Sequence, residues 1–454
     1  LNIRTSNKMS IRMIRVFISS MVLFISVIHG VAAENGKTTA LDSWPQWRGP
    51  LGTGFAPAAD PPIEWSEEKN VRWKLPLQGQ GHSTPVVWGE DVFVTSAKPS
   101  GEALEPRHDT AHGAHDGVPV THYHDFTVIA IRRSTGEIKW HKTVHREFPH
   151  EGGHFTASLA SNSPVTDGEH VFAFFGSRGL YCLDLNGELR WQTDLGEMQT
   201  KHAHGEGSSP ALHGETLVIN WDHEGQSFIV AFDKRTGEQR WKTLRDEVTS
   251  WATPIIVDYS GRPQVVASGT DRVRGYDLET GEVIWECGEL SANVVASPVF
   301  ADGIVYAGSS YEKRVMLAID LKGASGDLTG TGHVLWRRVR GAPYVPSPLL
   351  FDGSLYFLRH YQGILTRADP KTGEDQGGPF RLEGILNVYA SPVAVADRIY
   401  VTDLDGKTLV LSHEEKPVVL AYNALEDNFS ASAAIAGKDL FLRGHENLYC
   451  LFAD

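Results

Sequence analysis

Ser209-Pro210-Ala211-Leu212-His213-Gly214-Glu215-Thr216-Leu217-Val218-Ile219-Asn220, continued by Ala231-Phe232-Asp233-Lys234-Arg235-Thr236-Gly237-Glu238-Gln239-Arg240-Trp241, reads as four short strands and three turns. A Ser-Pro step opens a brief apolar run. A Gly-containing turn follows, then an alternating second run. A third run closes on Asp, Thr-Gly-Glu makes the next turn, and a fourth run carries Trp. The glycine of Thr-Gly-Glu supplies the positive φ that such a hairpin turn requires. The Ser/Thr-Pro step recurs as Thr84-Pro85, Ser163-Pro164, Ser209-Pro210, Thr253-Pro254, Ser297-Pro298, Ser347-Pro348 and Ser391-Pro392, with Ser432-Ala433 as a degenerate eighth copy. The spacings are 79, 46, 44, 44, 50, 44 and 41 residues, so one copy alone carries a long insertion. Thr-Gly-Glu recurs at 135–137, 236–238, 280–282 and 372–374, and the fourth-run Trp at Trp140, Trp191, Trp241, Trp285 and Trp336.

Four antiparallel strands at a period near 44 residues make one blade of a β-propeller, and eight copies predict eight blades. One blade cannot bury both of its faces; stacking blades around an axis does so, and closing the ring removes the open ends. The recurrent Trp is expected to wedge between neighbouring sheets, where an aromatic side chain buries ~150–250 Å². The last copy stops at Asn447-Leu448-Tyr449-Cys450-Leu451-Phe452, which matches a third strand and leaves the fourth missing. Val71-Arg72-Trp73-Lys74-Leu75-Pro76-Leu77 looks like that strand, so an N-terminal strand is expected to complete the last blade. The sixth and seventh copies lack the Trp; their fourth strands are expected near 379–382 and 417–421. The propeller then spans 71–454, after an extension over 34–70, with a His-rich insertion in the first blade at about 98–125.

Arg12 and Arg15 precede an apolar run over 16–28, and His29-Gly30-Val31-Ala32-Ala33 offers the short residues that a signal peptidase reads. Residues 1–33 are therefore expected to be a secretory signal, and the run is short for a ~20-residue membrane span. Its removal takes away four basic residues and no acid from a chain whose formal charge is already −14. So acidic a surface is a poor general binder of nucleic acid or anionic membrane. Cys182, Cys287 and Cys450 are too isolated for a Cys-x-x-Cys motif and too few for a disulfide framework. They read as small buried residues in strands. There is no Gly-x-Ser-x-Gly elbow, phosphate loop or dinucleotide fingerprint in a supporting context, and no pair of carboxylates stands out for glycoside hydrolysis.

The succession Ser-Pro, Asp-Gly, strand, Leu-Asp, Thr-Gly-Glu, Trp resembles the pyrroloquinoline-quinone-like propeller repeat over nearly the whole chain after the signal. Trp44-Pro45-Gln46-Trp47-Arg48-Gly49-Pro50, with Gly52 and Gly54, is similar to the opening of secreted members of that family. The family includes quinoprotein alcohol dehydrogenases and BamB-like periplasmic lipoproteins. The enzymes typically hold the quinone between a Trp and a vicinal Cys–Cys disulfide, bind Ca²⁺ through Glu, Asn and Asp, and use an Asp as base. This chain has no adjacent cysteines, is shorter, and lacks the lipid-bearing Cys of the BamB-like proteins.

Residues just ahead of each Ser/Thr-Pro step should ring one mouth of the central channel: His82, Asn162, Glu206, Trp251, Asn293, Tyr344 and Tyr389. Polar and aromatic groups converging on a concave mouth are a candidate ligand site. Trp251 lies outside the fourth-strand series and could stack on a flat ligand, while Glu206 and Asn293 could offer oxygens to Ca²⁺. The structural reading is that these groups bond to each other and to channel water. His112, His115, His122, His124 and His204 are the candidate transition-metal ligands, among a larger set that includes His108, His141, His145, His150, His154 and His202. No spacing matches a closed site, and a solvated His-rich loop is the plainer reading. If metal is bound, the loops at 108–124, 145–154 and 202–206 must share one mouth. The expected function is a secreted, periplasmic or extracellular scaffold for a protein partner or small ligand. The alternative is a quinone- or metal-dependent oxidoreductase, with pyrroloquinoline quinone or Ca²⁺ as its cofactor.

Overall fold

The computed structural model describes residues 40–107 and 113–453. The expected signal segment, His108 and His112 lie outside the described residues. Among the described residues eight sheets, each built on four antiparallel strands and one of them extended by a fifth, follow one another along the chain as the blades of a β-propeller. The third blade is representative: Ala211–His213, Thr216–Trp221, Phe228–Asp233 and Gln239–Leu244 pair in sequence order. The blade-six and blade-seven fourth strands are Phe380–Arg381 and Val419–Ala424. The eighth sheet consists of Ala434–Ala436, Asp439–Arg443, Asn447–Leu451 and, from the other end of the chain, Val71–Pro76. Trp73 lies opposite Cys450, and Leu75 opposite Leu448.

The repeated residues have separable physical roles. The closing Asp caps the third-to-fourth turn: in Asp184, Asp233, Asp277, Asp320 and Asp369, Oδ1 accepts the amide two residues on. The Trp reaches the next blade, as the Trp191 indole donates to the Lys234 carbonyl at 2.9 Å. Gly237 beneath it has φ +73°, and a Cβ there would come within 2.7 Å of the ring. Trp73, Trp140, Trp241 and Trp336 dock in the same way on the turns holding Gly136, Gly187, Gly281 and Gly373.

Trp285 departs from the expected wedge. Its indole stays within its own blade and donates to Gln264 Oε1 at 2.9 Å. The fifth blade replaces the Thr-Gly-Glu turn with a longer excursion, whose Gly326–Asp327 adds as a parallel fifth strand beside Val283–Cys287. The partner turn is missing, so the ring turns inward. In blade seven Ala421 occupies the Trp register, opposite Val410. There Trp65 of the N-terminal extension fills the gap, stacked on Tyr400 and fixed by its amide to Asn423 Oδ1.

The Ser/Thr-Pro steps form an inner girdle. The amide of Thr84 donates to Ser163 Oγ, Ser163 to Ser209, Ser209 to Thr253, Thr253 to Ser297, Ser297 to Ser347, Ser347 to Ser391 and Ser391 to Ser432, each at 2.8–2.9 Å. Each of these seven accepting hydroxyls thus satisfies an innermost amide that no further strand reaches, whereas Thr84 Oγ1 accepts none. Proline at the next position removes one more inward-facing donor.

The extension uses the opening motif to cross the channel. Trp44 pairs with Val87 of blade one, Pro45 O accepts from Thr166, and Gly54 and Ala56 bond Ala394 of blade seven. Arg48, fully buried, donates to the carbonyls of Pro392, Thr53 and Pro348, and burial lowers its pKa to about 9. The channel is therefore a cup, stoppered at one end.

The insertion is shorter than 98–125. The second strand of blade one runs to Ser100 and the third starts at Tyr123, with Lys98 paired to Asp125. The excursion between them returns to the mouth, where Gly117–Val118 pairs with Gly153–His154. All three cysteines are buried and free, and burial pushes the Cys182 and Cys287 thiols up to about 12 and 11.

Candidate functional site

The open end of the cup is built by the loops between blades and the turns between second and third strands. It encloses about 400 Å³, within the ~300–1,000 Å³ usual for small-molecule pockets. Of the seven residues expected at the mouth, His82, Glu206, Trp251, Asn293, Tyr344 and Tyr389 line it. Asn162 does not. It is buried behind the girdle and its Nδ2 donates to the Ser208 carbonyl at 2.6 Å.

The wall has two chemically distinct halves. Over blades five to seven, Tyr311 stacks on Tyr344 (5.9 Å between centroids) and Tyr361 on Tyr389 (5.7 Å, 9° between planes). Burial pushes the Tyr344 phenol up to about 12 and raises Tyr389. Over blades one to three, His115 lies 4.8 Å from His202 and 4.9 Å from His204, whose ring is 4.9 Å from His154. Burial, then the neighbouring His154, brings His204 down to about 4. His82 stacks on His445 at 4.8 Å, and burial, then His445 and Arg443, hold it near 3.

The loops carrying His115, His154 and His204 thus share one mouth, but the candidate metal set is split. His122 and His124 line a separate depression with Gln80, Leu159 and His445. His122 Nδ1 is engaged with Thr121 Oγ1, and His124 Nδ1 with the His122 carbonyl. Among the described residues no three His, Cys, Asp or Glu side chains are arranged to hold a metal ion.

Glu206 does not fit a Ca²⁺ ligand. One carboxylate oxygen accepts the Ser177 amide at 2.6 Å, and the other accepts Ser177 Oγ at 2.6 Å and Arg178 at 3.0 Å. The carboxylate closes so tightly on Gly176 that a Cβ there would overlap it. A quinone fares no better. The cysteines are buried singly in strands, and among the described residues no Lys or Arg lines the cup to neutralise a tricarboxylate; the nearest amine, Lys201 Nζ, lies 5.9 Å from the Tyr311 ring centroid. The residues present therefore do not fit the quinone–calcium centre, and no step is assigned to it.

Three aromatic contributors escaped the sequence reading. Tyr311 and Tyr361 lie in second-to-third strand turns, and the aromatic residue at that register was the available signal. Trp47 comes from the opening motif, whose place in the channel nothing in its spacing disclosed.

Comparison with known proteins agrees with this architecture. A family model described as outer membrane protein assembly factor BamB matches residues 124–377, more than half of the chain. The outer membrane protein assembly factor BamB of Bordetella pertussis is 29% identical over 240 residues, covering 48% of this chain and 55% of that relative. The chain thus spans about half the length of that relative. Among solved structures, BamB from Moraxella catarrhalis has a TM-score of 0.51 at 16% identity, covering 79% of this chain and 98% of that one. A europium-containing methanol dehydrogenase has 0.63 at 11% identity, covering 89% and 90%. Identities this low speak for the fold alone. Among the described residues no helix is long and apolar enough to cross a membrane. With eight blades of this repeat and a family match over more than half its length, the chain belongs to the pyrroloquinoline-quinone-like β-propeller family whose model bears the BamB description.

Proposed function

We propose that this chain is exported by its N-terminal signal and works in the periplasm as an interaction scaffold, presenting the open mouth of the propeller to a protein partner. The observation that carries this reading is the rim. Phe155 and Leu386 are 61% and 55% exposed around a mouth whose buried carboxylate, Glu206, is committed to Ser177 and Arg178. Exposed apolar side chains on loops held by a rigid ring are a contact surface. The assembly role printed for the relatives supports a partner among proteins destined for the outer membrane.

The test is to express the full chain in a Gram-negative host, fractionate the cells, and cross-link intact periplasm. The reading expects a periplasmic product without residues 1–33. It also expects a defined cross-linked protein that is lost with Phe155→Ser and Leu386→Ser while the thermal midpoint holds. Cytoplasmic retention, or cross-links indifferent to both substitutions, overturns it. Calorimetry and dye reduction with pyrroloquinoline quinone, Ca²⁺ and alcohols address the oxidoreductase alternative; heat and turnover there would replace the scaffold reading.

A further inference from the structure

We infer that the cup binds a neutral carbohydrate, a short pyranose oligomer, independently of the rim contact proposed above. The argument starts from charge. Among the described residues no Lys or Arg lines the cup, and of the two lining carboxylates Glu206 is neutralised by Arg178 while Asp116 sits exposed at the rim. Inside the cup an anionic ligand would find no counter-charge, the nearest amine being Lys201 Nζ, 5.9 Å from the Tyr311 ring centroid, and a cationic one no free buried carboxylate. The ligand that fits is uncharged.

The next step is hydrogen bonding. The girdle hydroxyls of Ser163, Ser209, Thr253, Ser391 and Ser432 face the cup. Each accepts a backbone amide, which leaves its own proton to donate. Deeper in the wall Asn293 is 4% exposed, its Oδ1 accepts no hydrogen bond, and its backbone is held at φ +53°. Ser430 Oγ, also in the lining, is buried without a partner. Buried polar groups of this kind are costly unless something completes them. A ligand with many hydroxyl groups, each both donor and acceptor, completes both kinds.

The last step is shape. The Tyr311–Tyr344 and Tyr361–Tyr389 pairs, with Trp47 and Trp251, give the cup aromatic surface beside these polar groups. Pyranose rings present C–H faces to aromatic rings and hydroxyls at their edges, the same division of apolar body and polar periphery.

The experiment follows Trp emission, since two indoles line the cup. The full-length chain is titrated with maltotriose, cellotriose, xylotriose and tri-N-acetylchitotriose, each to about 10 mM, roughly ten-thousandfold above micromolar affinity, and with pyrroloquinoline quinone as an anionic probe. At least one trisaccharide should shift the emission saturably. Tyr389→Ala and Asn293→Asp should each weaken it about tenfold. Both variants are checked by thermal midpoint, and Tyr361→Leu serves in place of either that fails to fold. No saturable response to any of the four sugars, binding indifferent to the substitutions, or preference for the quinone overturns the inference. None of these outcomes bears on the rim cross-links.

Discussion

Replacing Gly237 with Ala tests the blade-to-blade wedge at one atom. Gly237 sits at φ +73° under the Trp191 indole. The added methyl brings two penalties. An L-residue in the left-handed region costs about 1–2 kcal/mol. A Cβ at 2.7 Å from the ring must push Trp191 off its seat, an overpacking cost of about 1–3 kcal/mol. Gly237→Ala should therefore lose about 2–5 kcal/mol. Trp191→Ala should lose about 3–5 kcal/mol as a buried aromatic truncation, which also forfeits the indole bond to Lys234. In the double variant the clash is gone and only the backbone penalty remains. The two changes should then be non-additive, with a coupling of about 1–3 kcal/mol. Urea unfolding followed by Trp fluorescence and circular dichroism measures all four chains. Strict additivity, within about 0.5 kcal/mol, would mean that the glycine is there for the turn alone and would refute the wedge.

Two further outcomes follow from the same geometry. Ser209→Ala removes the acceptor of the Ser163 amide and should cost about 1–3 kcal/mol for a buried unsatisfied donor. Thr84→Val should cost clearly less, because Thr84 Oγ1 is buried without a hydrogen bond; equal losses in urea midpoints would contradict the girdle. The pH dependence has a definite sign. His82 and His204 are held near 3 and 4, and His154 is also lowered, against ~6.5 in the unfolded chain. The unfolded state then binds protons that the native state refuses, so stability is whole above about pH 7 and falls as pH drops through 6.5. Discounted for partial exposure, the loss by pH 5 should be about 2 kcal/mol. Urea midpoints that stay level or rise from pH 7 to 5 would contradict it.

The blade was legible because its signals are local. Asp caps, Thr-Gly-Glu turns and the Ser/Thr-Pro step each satisfy a need within a few residues or at a fixed repeat spacing. Position in the repeat also predicted the mouth, and placed six of seven residues there, because equivalent positions of successive blades must converge on one axis. Asn162 was lost because register fixes where a residue sits along the strand, not whether its side chain turns to the channel or behind the girdle. Glu206 shows the same gap in chemistry: its type suggested a cation ligand, but Ser177 and Arg178, from the preceding blade, had already claimed it. Trp285 and Trp65 were beyond reach for a related reason. Each depends on what a neighbouring segment fails to supply, an absent turn in one case and an absent Trp in the other. The opening motif had a recognisable composition, yet its contacts with blades one, two, six and seven are long-range and leave no period to read.

An engineered cross-link probes ring closure, on which the cup, the girdle and the mouth all depend. Leu75 and Leu448 are cross-strand partners in the eighth blade, 373 residues apart in sequence, and antiparallel neighbours of this kind bring Cβ atoms near disulfide range. Leu75→Cys with Leu448→Cys, oxidised mildly and run on a non-reducing gel, should give a faster-migrating monomer in nearly full yield with the native circular dichroism. Two free, reagent-accessible thiols in a folded chain would show that the ends do not meet.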